Sequence, residues 1–351
     1  MPTIIVTGAA GFIGSAVCRY LRANNLATVV GVDKMTYAAT RESLDGLKND
    51  PQFKLVEADI CNGATIIELL MTTEADGVMH LAAETHVDRS IDNPGVFLQA
   101  NIVGVYSLLE MVRHYLKVIP EDRKNRFRFL HVSTDEVYGS LGASGQFKED
   151  MAYAPNSPYA ASKASADHLA RAWQKTYGLP IVISNCSNNY GPFQFPEKLI
   201  PLSITKAITG EKLPIYGKGL NVRDWLYVED HAEALWQIFS RGRIGEKYNV
   251  GGNAEARNID LVTELCTVLD EMLPQSANKP HKNLIAFVAD RPGHDERYAM
   301  DFSKLKNELG WSPRMTLADG LRKTVRWYLD NSAWCESIRQ RRYGGERLGK
   351  I

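Results

Sequence analysis

Residues 3–14 read Thr3-Ile4-Ile5-Val6-Thr7-Gly8-Ala9-Ala10-Gly11-Phe12-Ile13-Gly14. Thr3–Thr7 is a short β-branched run that reads as a strand. Gly11–Asn24 has helical periodicity, with Ile13, Val17 and Leu21 on one face. Between them lie three glycines at G-x-x-G-x-x-G spacing. A strand, a glycine turn and a helix in that order let a pyrophosphate approach backbone N–H groups at a helix N-terminus. A second apolar run, Thr28–Asp33, ends in an acid 25 residues after Gly8. A carboxylate there accepts hydrogen bonds from ribose hydroxyls and repels a 2′-phosphate, so NAD is expected in preference to NADP. No Lys follows Gly14, which excludes a Walker-type phosphate loop.

Outward from this unit the alternation continues. Phe53–Val56, Gly77–Leu81, Phe127–Val132 and Ile181–Ser184 read as strands, with helical stretches near Ala64–Thr73, Val96–Lys117 and Pro158–Tyr177. The fold class expected is α/β, a doubly wound parallel sheet of Rossmann type. After about Asn185 prolines and glycines loosen the pattern. Trp225–Phe239 is compact again, a strand and then a helix starting near Glu229-Asp230, and helices are expected at Asp260–Met272 and Leu317–Asp330. Residues 1–190, with 223–250 returning to them, make the expected dinucleotide-binding domain. Residues 191–222 and 251–330 make a smaller C-terminal α/β substrate-binding lobe, and 331–351 a tail. The stretch Arg341–Ile351 is polar and basic and is expected to be poorly ordered.

Lys+Arg and Asp+Glu both number 41, so the formal net charge is zero. That balance gives no electrostatic case for nucleic acid or a membrane surface as partner. There is no basic stretch leading into an apolar one at the N-terminus, and no run of about 18 apolar residues. Neither a signal peptide nor a transmembrane helix is expected. The five cysteines are scattered without C-x-x-C spacing, which favours reduced thiols and a cytoplasmic location. The eight histidines show no H-E-x-x-H spacing, and no metal is expected.

Two further motifs carry chemistry. Tyr159-Ala160-Ala161-Ser162-Lys163 sits on a helix announced by Ser157-Pro158. Spacing of i, i+4 puts Tyr159 and Lys163 on one helical face. A Lys ammonium and a nicotinamide cation favour phenolate. Lowering a phenol by ~3 pKa units takes ~4 kcal/mol, within reach of two close positive charges in a partly dry site. The phenolate then removes a hydroxyl proton as hydride leaves the carbon. The other motif, Ser133-Thr134-Asp135-Glu136-Val137-Tyr138-Gly139, ends a strand, where ligands bind in open α/β sheets. Thr134 can bond a substrate hydroxyl. Adjacent carboxylates at Asp135 and Glu136 push one pKa up and separate an acid from a base.

Gly8-x-x-Gly11-x-x-Gly14 with Tyr159-x-x-x-Lys163 resembles the extended short-chain dehydrogenase/reductase family. Several longer runs resemble the dTDP-glucose 4,6-dehydratases among them. These are His80–Ser90, Ser133–Gly139, Asn185–Pro192, Phe195–Pro201, Arg223–His231 and Asp290–Asp295. The resemblance runs from Ile4 to about Asn331. Ala9 stands where a Gly is usual and Ala100 where a Thr is usual.

The resemblance implies that NAD is bound by Gly8, Gly11, Phe12, Ile13, Gly14, Asp33, Lys34, Thr36, Asp59, Ile60, Leu81, Ala82, Ala83, Tyr159, Lys163 and Asn189. It implies that Thr85, Asn188, Lys198, Arg223, Asn258, Arg291 and His294 hold a nucleotide-sugar substrate. Lys198, Arg223 and Arg291 also suit a diphosphate on chemical grounds, arginine offering bidentate geometry. Thr134, Asp135, Glu136, Tyr159 and Lys163 are then catalytic. Tyr159 is the base at the carbon 4 hydroxyl, Glu136 the base at carbon 5, and Asp135 the acid for the carbon 6 hydroxyl. The implied net reaction is dehydration to a 4-keto-6-deoxy sugar nucleotide, with the hydride returned at carbon 6. Thymidine as the nucleoside, and a homodimer formed through Val96–Lys117 and Pro158–Tyr177, rest on the resemblance alone. A sugar-nucleotide 4-epimerase would share Tyr159 and Lys163 without needing the acidic pair. A non-catalytic NAD-binding regulator has no use for Tyr-x-x-x-Lys.

Overall fold

A computed structural model describes residues 1–341. In chain order the first half holds β1 (Thr3–Thr7), α1 (Phe12–Ala23), β2 (Thr28–Asp33), β3 (Phe53–Glu57), α2 (Gly63–Thr72), β4 (Gly77–His80), α3 (Val87–Asp92), α4 (Pro94–Leu98), α5 (Gly104–Val118), α6 (Glu121–Arg126), β5 (Arg128–Thr134), α7 (Pro158–Tyr177) and β6 (Ile181–Cys186). The second half holds β7 (Asn188–Tyr190), α8 (Leu199–Thr209), β8 (Leu213–Tyr216), β9 (Val222–Tyr227), α9 (Val228–Arg241), β10 (Lys247–Val250), β11 (Glu255–Arg257), α10 (Asn258–Met272), β12 (Ile285–Val288), α11 (Ser303–Leu309), α12 (Leu317–Asp330) and α13 (Ser332–Arg341).

Seven strands form one sheet in the order β10-β6-β5-β4-β1-β2-β3. Every pairing in it is parallel. Successive residues of a strand face opposite sides, and β1 shows the consequence. Ile4 and Val6 enter one core with α1 and α9, while Ile5 enters the other with α5 and α7. Both faces are covered, so the strands read as near-continuous apolar runs. Strand order reverses at β1, which has β2 on one side and β4 on the other. A crevice opens at such a switch point, beyond the carboxyl ends of the strands.

A second core lies outside this sheet. Ile200 and Ile204 of α8, Ile215 of β8, Trp225 of β9, Leu265 of α10 and Leu321 of α12 pack there. Two small sheets border it, β11-β9-β7 and β12-β8.

Some expectations need correction. β9 pairs with β7 and β11, so the return to the large sheet begins at Val228 with α9 and not at 223. β5 runs to Thr134, two residues past its expected end. The stretch read as a tail from 331 begins with α13, whose Cys335 and Ile338 are buried. The rest of the expected tail, from 342 onward, lies outside the described residues. The helix expected at Val96–Lys117 is a continuous helical run, Pro94–Val118, with a π turn at Gln99–Val103 between α4 and α5. By length and composition alone it could cross a membrane. Its Val105, Leu108, Leu109, Val112 and Tyr115 are instead core packing beneath the sheet.

The packing of α12 on β7 gives a test. A Cβ added at Gly320 would stand 2.0 Å from the Tyr190 hydroxyl oxygen. In open space Gly→Ala would stabilise a helix by about 1 kcal/mol. Here overpacking outweighs that gain, and Gly320→Ala should lose about 2 kcal/mol in urea unfolding. An unchanged or raised midpoint would mean that this seam is loosely packed.

Candidate active site

A cavity of about 280 Å³ lies at the carboxyl ends of β1, β4, β5 and β6. Its wall includes all sixteen residues expected to hold the dinucleotide and all five expected catalytic residues, Tyr159 and Lys163 counting in both sets. Thr85, Asn188 and Lys198 line it as well, whereas Arg223, Asn258, Arg291 and His294 do not.

The glycine turn after β1 forms one end. Gly8 has φ +71°, and a Cβ on it would lie 2.8 Å from the Ala82 backbone nitrogen. A Cβ on Gly14 would lie 1.9 Å from the Gly8 carbonyl oxygen. Only glycine lets these backbones meet. Gly11 caps α1 without any side-chain hydrogen bond, so the first-turn N–H groups are left for an anion. Asp33 closes β2. Its carboxylate accepts from Ala10 N at 3.0 Å and Met35 N at 2.8 Å. Burial pushes this carboxyl above its ordinary range, and the two amides act against that. At the rim Lys34 stands 3.7 Å from Asp59. The cradle fits a pyrophosphate and the carboxylate fits a ribose.

Tyr159 and Lys163 stand in the first two turns of α7, positioned by a cap readable in the sequence. The Ser157 side chain accepts from Ala160 N at 3.1 Å, and Pro158 opens the helix. Both functional side chains are buried. Lys163 Nζ donates to the Val132 carbonyl at 2.8 Å, so this ammonium is anchored to β5. Burial pushes the Tyr159 hydroxyl well above its ordinary value, with Glu136 adding to the rise. A nicotinamide cation, expected from the sequence to act together with Lys163, would oppose that rise. Burial also pulls Lys163 down, while the Asp167 carboxylate one turn further along α7 holds it up. Asp167 accepts from His131 Nε2 at 3.1 Å, Tyr153 Oη at 2.7 Å and Asn185 Nδ2 at 3.1 Å.

The acidic pair follows directly. Thr134 ends β5, and Asp135–Tyr138 makes a 3-10 turn. The Thr134 hydroxyl donates to Asp135 Oδ1 at 3.1 Å and accepts from Glu136 N at 3.3 Å. Asp135 Oδ2 is buried without a hydrogen-bond partner. Burial, reinforced by Glu136, pushes the Asp135 carboxyl well above its ordinary range. Burial raises Glu136 too, but Arg291, Lys198 and Arg223 pull it back. Both carboxyls are thus raised, Asp135 the further, and three cations oppose the rise at Glu136.

Of the remaining expected residues, Lys198, Arg223 and Arg291 bring positive charge to this pair from the second lobe. Lys198 Nζ donates to the Thr85 carbonyl at 3.2 Å. Arg223 donates to the Asp295 carbonyl at 2.9 Å and lies over the Tyr298 ring. His294 Nδ1 is 2.6 Å from Asp290. Asn188 Oδ1 and Asn258 Oδ1 are buried without hydrogen-bond partners. Glu84, Cys186, Gln194 and Glu197 also line the cavity and were not anticipated. Glu84 and Glu197 lie inside the His80–Ser90 and Phe195–Pro201 runs, so the signal was present and only the choice within each run was missed.

Residues 5–324 match the family described as GDP-mannose 4,6 dehydratase. A dTDP-glucose 4,6-dehydratase of Xanthomonas campestris is 52% identical over 354 aligned residues, covering 99% of each chain. A solved dTDP-glucose 4,6-dehydratase from Streptomyces venezuelae, with NAD bound, superposes with a TM-score of 0.87 at 41% identity, over 96% of this chain and 99% of that one. A UDP-glucuronic acid 4-epimerase from Bacillus cereus is further off, at 30% identity and a TM-score of 0.81, over 93% and 99%. The chain belongs to the GDP-mannose 4,6 dehydratase family, and within it to the dTDP-glucose 4,6-dehydratases.

Proposed function

We propose that this enzyme dehydrates dTDP-glucose to dTDP-4-keto-6-deoxyglucose with NAD held in the cavity. The observation that carries the reading is the Asp135–Glu136 pair at the end of β5, in the same cavity wall as Tyr159, with the Thr134 hydroxyl on Asp135 and three cations acting on Glu136. Elimination of water needs both an acid and a base from this pair, and inversion at carbon 4 needs neither.

Bound NAD would supply a hydride acceptor at carbon 4, a donor at carbon 6 and the cationic ring that brings Tyr159 within range of ionisation. Tyr159 takes the carbon 4 hydroxyl proton. Lys163, anchored on Val132, keeps a positive charge behind it. The ketone so formed acidifies the carbon 5 proton, which Glu136 removes. Asp135 protonates the carbon 6 hydroxyl as it leaves as water, and once hydride is back at carbon 6 a proton returns to carbon 5. Thr134 holds Asp135 in place through its hydroxyl. Lys198, Arg223 and Arg291 carry the substrate's diphosphate.

The active form in this reading is a cytoplasmic homodimer. Val96, Leu98, Val103 and Tyr106 of the Pro94–Val118 helix and Tyr177 of α7 are exposed apolar side chains on neighbouring helices, and they support such a pairing. Tyr106→Asp should shift the protein toward half its mass in sedimentation; an unshifted dimer would move the interface elsewhere.

Asp33 governs cofactor choice. NAD should bind far more tightly than NADP, and Asp33→Ala should narrow that gap in a fluorescence titration. Equal binding of the two by the unmutated enzyme would remove this role from Asp33.

The acidic pair separates the halves of the reaction. Tyr159→Phe keeps the ring and loses the base, at a typical cost of ~10²–10⁴-fold, and it stops oxidation at carbon 4 itself. Glu136→Gln should let the 4-ketohexose form but block solvent deuterium from entering carbon 5, with product formation down by a similar ~10²–10⁴-fold in rapid quench. Dehydration at the normal rate by Glu136→Gln would make the pair a bystander and put 4-epimerisation first.

A further inference from the structure

Asp88 has no part in the chemistry above, yet it is a buried carboxylate whose partners both come from the second lobe. It lies in the first turn of α3, just past Thr85 in the cavity wall. Its Oδ2 accepts from the Tyr216 hydroxyl at 2.8 Å. Its Oδ1 accepts from Arg291 Nη1 at 3.2 Å. Tyr216 ends β8, and Arg291 follows β12, the strand paired with β8. One carboxylate therefore ties the ends of a two-strand sheet to a helix of the other lobe.

The guanidinium it holds is incomplete. Arg291 Nε is buried and has no hydrogen-bond partner. An unpaired N–H on a buried cation is costly, and an anionic acceptor relieves that cost. Arg291 also acts on Glu136 together with Lys198 and Arg223, so the positive charge bears on the acidic pair. Guanidinium is a rigid planar fork, and holding one terminal nitrogen sets the direction of the others.

We infer that Asp88 is a positioning residue that holds Arg291 by Nη1 so that its Nε edge meets an anionic oxygen of the substrate's diphosphate. The inference rests on the reading of Arg291 as a diphosphate clamp. It differs in sign from the plain alternative. Were Asp88 only a neutralising counter-charge, its removal would raise the local positive potential and tighten anion binding. Removing an anchor loosens the clamp and weakens binding.

The test is calorimetric titration of the full chain with dTDP, alongside KM and kcat for dTDP-glucose. Asp88→Asn should bind dTDP roughly tenfold more weakly and raise KM by a similar factor, while kcat moves by less than about threefold. Arg291→Gln should weaken dTDP as well, and adding Asp88→Asn to it should cost no further affinity. Unchanged affinity in Arg291→Gln alone would mean that Arg291 is no diphosphate clamp, and the inference falls with that reading. Weakened binding in Arg291→Gln with equal or tighter binding in Asp88→Asn would leave the clamp standing and overturn the role of Asp88. Losses that add in the double variant would overturn it too. If Asp88→Asn does not fold, Tyr216→Phe takes its place in the cycle. It should weaken dTDP about threefold, and only where Arg291 is present; unchanged affinity would count against the inference.

Discussion

The close approach of two backbones at Gly8 is the constraint on which the site depends. The turn leaving β1 passes so near the turn leaving β4 that a single methyl on Gly8 would collide with Ala82. Gly14 repeats the demand one turn into α1, against the Gly8 carbonyl. Together they seat the open N-terminus of α1 at the point where strand order reverses. Thr7 reinforces the contact from below: its hydroxyl oxygen lies 3.2 Å from both the Leu81 and Ala82 amides and 2.7 Å from His80 Nδ1. The far wall of the cavity is then what β5, the turn after it and β6 present: Val132, Ser133 and Thr134, Asp135 and Glu136, and Cys186.

Charge burial is the second organising constraint. Lys163 and Asp167 are both buried on α7, four residues apart. Each is satisfied by different groups, Lys163 by a strand carbonyl and Asp167 by three donors. Burial lowers His131 and His80 below their usual range, which favours their neutral forms. Asn185 joins this layer to the chemistry, because its Nδ2 donates both to Asp167 and to the Thr134 carbonyl at 3.1 Å. The strand end bearing the acidic pair is thus held by the same carboxylate that supports Lys163. Such a layer restricts Lys163 and the strand end at Thr134 to one arrangement.

Local signals in the chain carried much of this. The glycine spacing, the acid at the end of β2 and the Ser157-Pro158 cap are short-range patterns with a mechanism, and each led to the right element. The parallel sheet followed from alternation alone. What was not legible depended on contacts distant in sequence. Nothing near Lys163 says that its partner is Val132, 31 positions earlier. β9 reads as a strand, but its apolar content does not say which sheet it joins. β5 looked finished at Val132 because Ser133 and Thr134 are poor apolar signals, although the pairing with β6 carries them to the cavity. Asp88 is one acid among many until Tyr216 and Arg291, more than a hundred residues away, are seen to converge on it.

The two lobes meet where the chain changes sheets. β6 ends at Cys186 and β7 begins at Asn188, so Ser187 alone separates the large sheet from a small one. The Ser187 amide donates to the Val250 carbonyl at 3.0 Å, which holds the crossing against β10. After β10 the chain crosses again at Gly251-Gly252. There the Asp224 carboxylate accepts from Gly252 N at 3.0 Å and Ala254 N at 2.8 Å, and a Cβ on Gly252 would lie 1.9 Å from the Trp225 carbonyl oxygen. Both crossings are short and hydrogen-bonded, and the second admits no side chain. The cavity wall from Cys186 to Asn189 is therefore built by the first crossing itself. The groups proposed to handle hydride and proton sit at the end of β5 and on α7, beside the large sheet, and the cations proposed to hold the diphosphate sit on the second lobe. The seam between them sets how far apart those two functions lie.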